Sequence, residues 1–128
     1  MKIKIIALGK IKEKYLKSGI DEFLKRLTPY ASVSVVELNP IEIKDENLKD
    51  KILLDEGEKI LSNIKPLDFV ITLEIEGQQF SSEDFAQKIK DLTNNGTQEI
   101  VFVIGSSCGI GKNVSTRANL KMSMSKMT

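Results

Sequence analysis

The stretch VFVIGSSCGIGK, residues 101–112, joins a short apolar run to a loop rich in glycine and serine. The run begins at Glu99, ends at Ile104 and is mostly β-branched, which is typical of a strand buried on both faces. The glycines after it let the backbone approach a ligand closely, because glycine has no Cβ. The stretch therefore predicts a strand that leads into either a ligand-binding loop or a plain turn before a helix.

The loop does not match the known phosphate-binding motifs. Its glycines follow the spacing G-x-x-x-G-x-G, whereas the dinucleotide motif is G-x-G-x-x-G. A Walker A motif that ended at Gly111-Lys112 would need glycine where Ser106 stands, and Ser or Thr where Asn113 stands. We therefore exclude a P-loop nucleotidase and leave both the ligand loop and the plain turn open.

Alternating strand and helix patterns surround this loop. Strands are predicted at residues 2–8, 32–38, 67–75, 99–104 and 121–127. Helices are predicted at residues 12–28, from about 46 to 65, from a Ser81 cap to Asn94-Asn95-Gly96, and from 112 to about 120. Residues 41–50 are expected to form an exposed connector and EGQQ, residues 76–79, a turn. The order predicts one α/β domain over residues 1–128, with a doubly wound, mostly parallel sheet.

Composition excludes several kinds of chemistry. The chain has no histidine and one cysteine, so neither a Ser-His pair nor a zinc site with histidine ligands can form, and Cys108 is expected to be inert. Nineteen basic and eighteen acidic residues give a net charge of +1, which does not itself indicate a nucleic-acid partner. No apolar run approaches eighteen residues, so we expect no membrane segment. The single cysteine favours a cytoplasmic location.

Charged residues on the predicted helices are interpreted as solvated surface. Asp55, Glu56 and Glu58 have helical surface spacing, so we assign them no catalytic role. The basic residues of the first predicted helix are interpreted in the same way, although they could face RNA: Lys10, Lys12, Lys14, Lys17, Lys25 and Arg26.

Two strand ends are the candidate ligand site. In open α/β sheets, ligands bind beyond the carboxyl ends of the strands. Residues 72–74 and 104–106 both follow strongly apolar segments, so we expect them to lie centrally and close to each other.

Several separated motifs together resemble one family. They are the first thirty residues, DEGEKIL, FVITLEIEGQQFSSEDFA, VFVIGSSCGIGKNV and LKMSMSKMT, and they cover essentially all 128 residues in order. The sequence resembles the bacterial 23S rRNA pseudouridine-N3 methyltransferases of the SPOUT superfamily. The resemblance implies an α/β domain with a deep C-terminal trefoil knot, an S-adenosylmethionine cofactor, and a homodimer that methylates 23S rRNA within the ribosome without a metal.

The resemblance also implies the cofactor site. Carried over by position, the cofactor contacts are Leu73, Gly105, Met124, Ser125, Lys126, Met127 and Thr128. No catalytic residue is assigned, because the family's candidates lie in a segment beyond the SKMT motif.

The sequence departs from the family in two places. Ser106 stands where the family usually has a second glycine, and we expect it to crowd the cofactor or strain the backbone. Family members continue past SKMT with a Pro-His turn and a long helix. The 128-residue chain is therefore expected to have an incomplete knot and little or no activity. The alternative function is a non-catalytic α/β binding or self-association module; a flavodoxin-like or receiver domain is disfavoured by Ala7-Leu8-Gly9-Lys10 after the first strand.

Overall fold

The computed structural model describes residues 1–9, 22, 25, 31–42, 44–105 and 109–123. Five strands form a sheet within these residues: β1 (Lys2–Leu8), β2 (Ser32–Leu38), β3 (Phe69–Gln79), β4 (Glu99–Ile104) and β5 (Leu120–Ser123). Their spatial order is β2-β1-β4-β3-β5, and every neighbouring pair is parallel. This confirms the predicted doubly wound α/β fold.

Helices cover both faces of the sheet. They are α1 (Lys49–Leu61), which follows a short 3₁₀ turn at Glu46–Leu48, α2 (Ser82–Asn94) and α3 (Lys112–Arg117). On one face Phe85 of α2 packs against Phe102 of β4. On the other face, Ile60 and Val114 from α1 and α3 pack against Val103. The helix predicted at 12–28 lies outside the described residues except for Glu22 and Lys25, which are helical.

The predicted helix boundaries are partly wrong. Ser81 caps α2 as predicted, since its hydroxyl accepts the Asp84 backbone N–H at 3.1 Å. In contrast, α1 ends at Leu61 instead of residue 65, because Ser62 Oγ and Asn63 Nδ2 both donate to the Lys59 carbonyl and satisfy the helix end.

The third helix is also shorter than predicted, because the chain is needed for strand pairing. It ends at Arg117, whose guanidinium donates to the carbonyls of Lys65 and Asp68 at 3.0 Å each. The Asn119 backbone then donates to Val70, and β5 follows at once. Of the strand predicted at 121–127, residues 121–123 lie in β5 and residues 124–127 lie outside the described part of the chain.

The turn predicted at residues 76–79 is wrong, because these residues belong to β3. Leu73 and Gln78 both pair with Met122 of β5, so residues 74–77 leave the register and form a bulge. We call these four residues the 74–77 bulge. A two-residue alternation cannot reveal such a bulge, because the strand pairs again with the same partner beyond it.

Gly77 lets the bulge lie directly on β5. A Cβ at this position would stand 2.7 Å from the backbone N and C atoms of Met122. Backbone atoms in a paired strand cannot give way without breaking the ladder, so the register of β5 depends on glycine here.

Close contact also joins α1 to α3. A Cβ at Gly57 would overlap the Asn113 side chain, and a Cβ at Gly111 would stand 2.5 Å from the Leu53 carbonyl oxygen. Asn113 Nδ2 donates to the Leu54 carbonyl at 3.1 Å, and Asn113 Oδ1 accepts the Val114 backbone N–H at 3.0 Å. Gly57, which lowers helix propensity in the middle of α1, is thus required by the packing of α3.

We predict that Gly77→Ala lowers the free energy of unfolding by about 3 kcal/mol, because the methyl group would push the Met122 backbone out of the sheet. Urea denaturation measures the change. Glu76→Ala, an exposed position in the same bulge, is the control and should change stability by less than about 0.5 kcal/mol. Equal losses in the two variants would contradict the packing argument.

We also predict that Gly57→Ala destabilises the protein by about 1 kcal/mol, although alanine alone would favour the helix by a similar amount. The added methyl group would displace Asn113 and break its two hydrogen bonds. In an Asn113→Ala background the same substitution should be neutral or stabilising. A double-mutant cycle followed by thermal denaturation measures the coupling, and additive effects would refute it.

Candidate functional site

At one edge of the sheet, the carboxyl end of β4 lies beside the residue at which β3 stops pairing with β4. Leu73 pairs with Ile104, the last residue of β4, and Gly105 follows Ile104 directly. Leu73 also pairs with Met122, so its backbone lies between β4 and β5. The predicted neighbourhood of the two segments is confirmed, although Leu73 lies inside β3 and not at its end.

Gly105, the residue after β4, packs closely against Gly109 and Ile110. A Cβ at Gly105 would overlap the Gly109 carbonyl oxygen and stand 2.7 Å from Ile110 Cγ1. Gly109 has φ +97°, a conformation that side chains rarely adopt. The backbone at Gly109 therefore lies directly against Gly105, and only glycine fits at the position from which β4 leaves the sheet.

Contacts with α1 fix the position of the residues that follow Gly109. Gly111, the residue that precedes α3, lies against the Leu53 carbonyl, and Ile110 packs with the apolar cluster under α1 and α3. The packing places Ile110 and Gly111 on the same face of the sheet as these two helices. A ligand at this edge would meet a backbone that is already held in place.

Glu74 is a charged side chain at this edge. It is the first residue of the 74–77 bulge and is half-buried. Thr72 Oγ1 donates to Glu74 Oε2 at 2.7 Å, and Ser115 Oγ of α3 lies 3.3 Å from each carboxylate oxygen. Thr72 itself is fully buried, with 0% of its surface exposed. The network therefore ties the start of the bulge to α3.

One feature of the sequence marks Glu74 as unusual. It is a single charge inside the otherwise apolar segment FVITLEI, where a buried strand would not be expected to carry one. Glu56 was also misjudged. It is 2% exposed, contrary to the surface interpretation, and its Oε2 accepts the Ile41 backbone N–H at 3.0 Å. Asp55 and Glu58 are exposed, as predicted.

The remaining predicted site residues lie outside the described part of the chain. These are Ser106, Cys108 and the segment of Met124, Ser125, Lys126, Met127 and Thr128. The basic positions of the first predicted helix also lie outside it, apart from Lys25, which is exposed.

The described residues contain neither a metal-binding cluster nor a membrane-spanning helix. No group of three or more Cys, Asp or Glu side chains in residues 1–9, 31–42, 44–105 and 109–123 could hold a metal ion. No helix within the same part of the chain is long and apolar enough to cross a membrane.

Comparison with known proteins gives matches along the whole chain. The family model for predicted SPOUT methyltransferases matches residues 1–128. Proteins named ribosomal RNA large subunit methyltransferase H are similar to the full chain: 46% identical in Carboxydothermus hydrogenoformans, 47% in Leuconostoc mesenteroides and 46% in Streptococcus gordonii. Each alignment covers 100% of this chain and 82% of the relative.

These matches agree with the parallel α/β sheet and with the motifs at the ends of β3 and β4. The family model and the relatives match the whole chain and not the candidate site alone. The chain therefore belongs to the SPOUT methyltransferase family.

Proposed function

We propose that this chain is an S-adenosylmethionine-dependent methyltransferase that modifies N3 of a pseudouridine in 23S rRNA. The observation that carries the proposal is its similarity, over every residue, to relatives named as methyltransferases of large-subunit ribosomal RNA. The resemblance of its motifs narrows the target to a pseudouridine in the assembled ribosome. We also propose that the chain forms a homodimer and acts in the cytoplasm.

The cofactor is proposed to lie against Leu73 and Gly105, with residues 124–128 completing its site. The structure supports this choice in two ways. The backbones of Leu73 and Ile104 are paired, so Gly105 begins at the level of Leu73. Gly105 packs tightly against Gly109 and Ile110, so its backbone groups have a fixed position at this edge.

The chemistry asks little of the protein's own acids and bases. When bound, S-adenosylmethionine supplies a methyl group that is already activated by the positive sulfur. The side chains and backbone groups of this chain would bind the cofactor, orient it and exclude water from the site. Strand ends that are fixed in position can make these contributions. The absence of histidine from the sequence is compatible with such a role.

Methyl transfer tests the proposal directly. The assay measures the transfer of labelled methyl groups from S-adenosylmethionine to ribosomes that lack this modification. Ribosomes that already carry the methyl group at this position are the control and should accept none, because the acceptor nitrogen has no proton left to exchange for a methyl group. The Carboxydothermus relative serves as a positive control.

The expectation of little activity is tested in the same assay. A rate far below that of the relative would support it, and equal rates would refute it. Transfer by the relative alone, with the cofactor still bound by this chain, would favour the non-catalytic binding module. If this chain neither binds the cofactor nor transfers methyl groups, the proposed function is wrong.

We predict that Gly105→Ala weakens S-adenosylmethionine binding at least tenfold, because the methyl group would displace the Gly109 carbonyl and open the turn. Isothermal titration calorimetry measures the dissociation constant. Gly96→Ala is the matched control: Gly96 also has no side chain and has φ +88°, but it lies after α2 with open space around it. That variant should lose about 1 kcal/mol of stability and keep its cofactor affinity. Equal binding losses in both variants would remove Gly105 from the site.

A further inference from the structure

Glu74 has no cationic partner among the described residues. The hydrogen-bond donors that reach its carboxylate are two neutral hydroxyl groups, from Thr72 and Ser115. Ion pairs between described residues join Glu99 to Lys4 and Lys65. Among the described residues, the half-buried carboxylate of Glu74 is therefore held by dipoles and by no cationic side chain.

Such a carboxylate favours a cation. Removing a charged group from water is costly, and neutral hydrogen bonds compensate for that cost only in part. A positive ligand group nearby would supply the missing compensation and would gain a charge-assisted attraction. Because Thr72 is fully buried, its hydroxyl fixes one carboxylate oxygen and limits how far Glu74 can swing toward solvent.

Glu74 also lies at the proposed cofactor edge. It follows Leu73, whose partner Ile104 precedes Gly105, so Glu74 and Gly105 leave the paired region together. Ser115 holds the carboxylate on the face covered by α3, and Ile110 packs on that same face. The negative charge therefore lies one residue beyond the Leu73–Ile104 pair, at the edge where we propose that the cofactor binds.

We propose that Glu74 is a specificity-determining residue that favours the positively charged methyl donor over its neutral product. The inference rests on the proposed function. S-adenosylmethionine carries a positive sulfonium, whereas S-adenosylhomocysteine carries a neutral thioether. During transfer the sulfur–methyl bond breaks, its electron pair stays on sulfur, and the acceptor nitrogen gains the methyl group and loses a proton to water. The attraction of Glu74 is present before transfer and absent after it, which favours release of the product.

A purely structural role for Glu74 is the competing explanation, because the carboxylate also ties the 74–77 bulge to α3. The two roles differ in what they do to the two ligands. A structural defect would weaken the donor and the product equally, since both share the adenosine and the amino-acid part. Loss of charge recognition would weaken only the donor.

Calorimetric titration of three ligands separates the roles. The ligands are S-adenosylmethionine, S-adenosylhomocysteine and sinefungin, which carries a positive amine near the position of the sulfonium. In Glu74→Gln we expect the preference for S-adenosylmethionine over the product to fall about fivefold, and the preference for sinefungin to fall with it. Glu76→Gln, an exposed carboxylate in the same bulge, is the matched control and should leave both ratios within about twofold. Ser115→Ala keeps the charge and should also keep the ratios.

A second measurement does not depend on the variant folding. In the unmodified chain, added salt should weaken binding of the cationic ligands more than binding of S-adenosylhomocysteine, because salt screens an attraction that only the cations have. Unchanged ratios in Glu74→Gln, or parallel losses for all three ligands, would overturn the proposal for Glu74 and leave the proposed function standing. A folded, unmodified chain that binds none of the ligands would instead contradict the proposed function, and this inference with it.

Discussion

Apolar packing on both faces of β4 is the constraint on which the rest of the molecule depends. Val101 and Val103 face α1 and α3, whereas Ile100 and Phe102 face α2, and all four side chains are buried. Parallel pairing with β1 and β3 satisfies the strand's backbone on both sides. A strand enclosed in this way has no room for polar chemistry along its length, so the chain can offer ligands polar groups only where β4 and its neighbours end.

Close backbone contact then gives this edge its shape. Gly77 lets the bulge of β3 lie on β5, and Gly105 lets the backbone of Gly109 lie against the end of β4. Gly111 contacts the backbone of α1. Each contact replaces a side chain with a backbone group, which is a rigid element whose position is fixed by the sheet or by a helix. The edge is therefore preorganised by packing, a property that suits a protein whose main task is to orient a reactive ligand.

The sequence predicted the order of elements well, because each strand is an apolar or alternating run and each described helix has an apolar stripe or a cap such as Ser81. The boundaries failed where contacts distant in sequence decide them. Arg117 ends α3 by reaching the carbonyls before β3, and residues 74–77 stay in β3 because β5 pairs on both sides of the bulge. No local pattern carries either fact.

The candidate site was predictable to a similar extent. Leu73 and Gly105 could be placed together, since parallel strands bring their carboxyl ends to one edge. Glu56 could not be judged, because a charge on a helix is usually solvated and only the chain around Ile41 buries it. Glu74 was visible as a charge in an apolar strand, but its partner Ser115 lies 41 residues away along the chain.

The need to distinguish donor from product gives a reason for a charge at this edge. The two ligands differ by one methyl group, and an apolar pocket gains only about 1–3 kcal/mol from such a difference. They also differ by one unit of charge. A partly desolvated carboxylate attracts the charged ligand more strongly, and this preference does not require a tighter steric fit. Neutral partners such as Thr72 and Ser115 can orient that carboxylate without neutralising its charge. An arginine or lysine would orient the carboxylate and also neutralise it. The edge that we propose for the cofactor must hold a cation before the reaction and release a neutral molecule afterwards, and hydroxyl donors serve that purpose better than an ion pair.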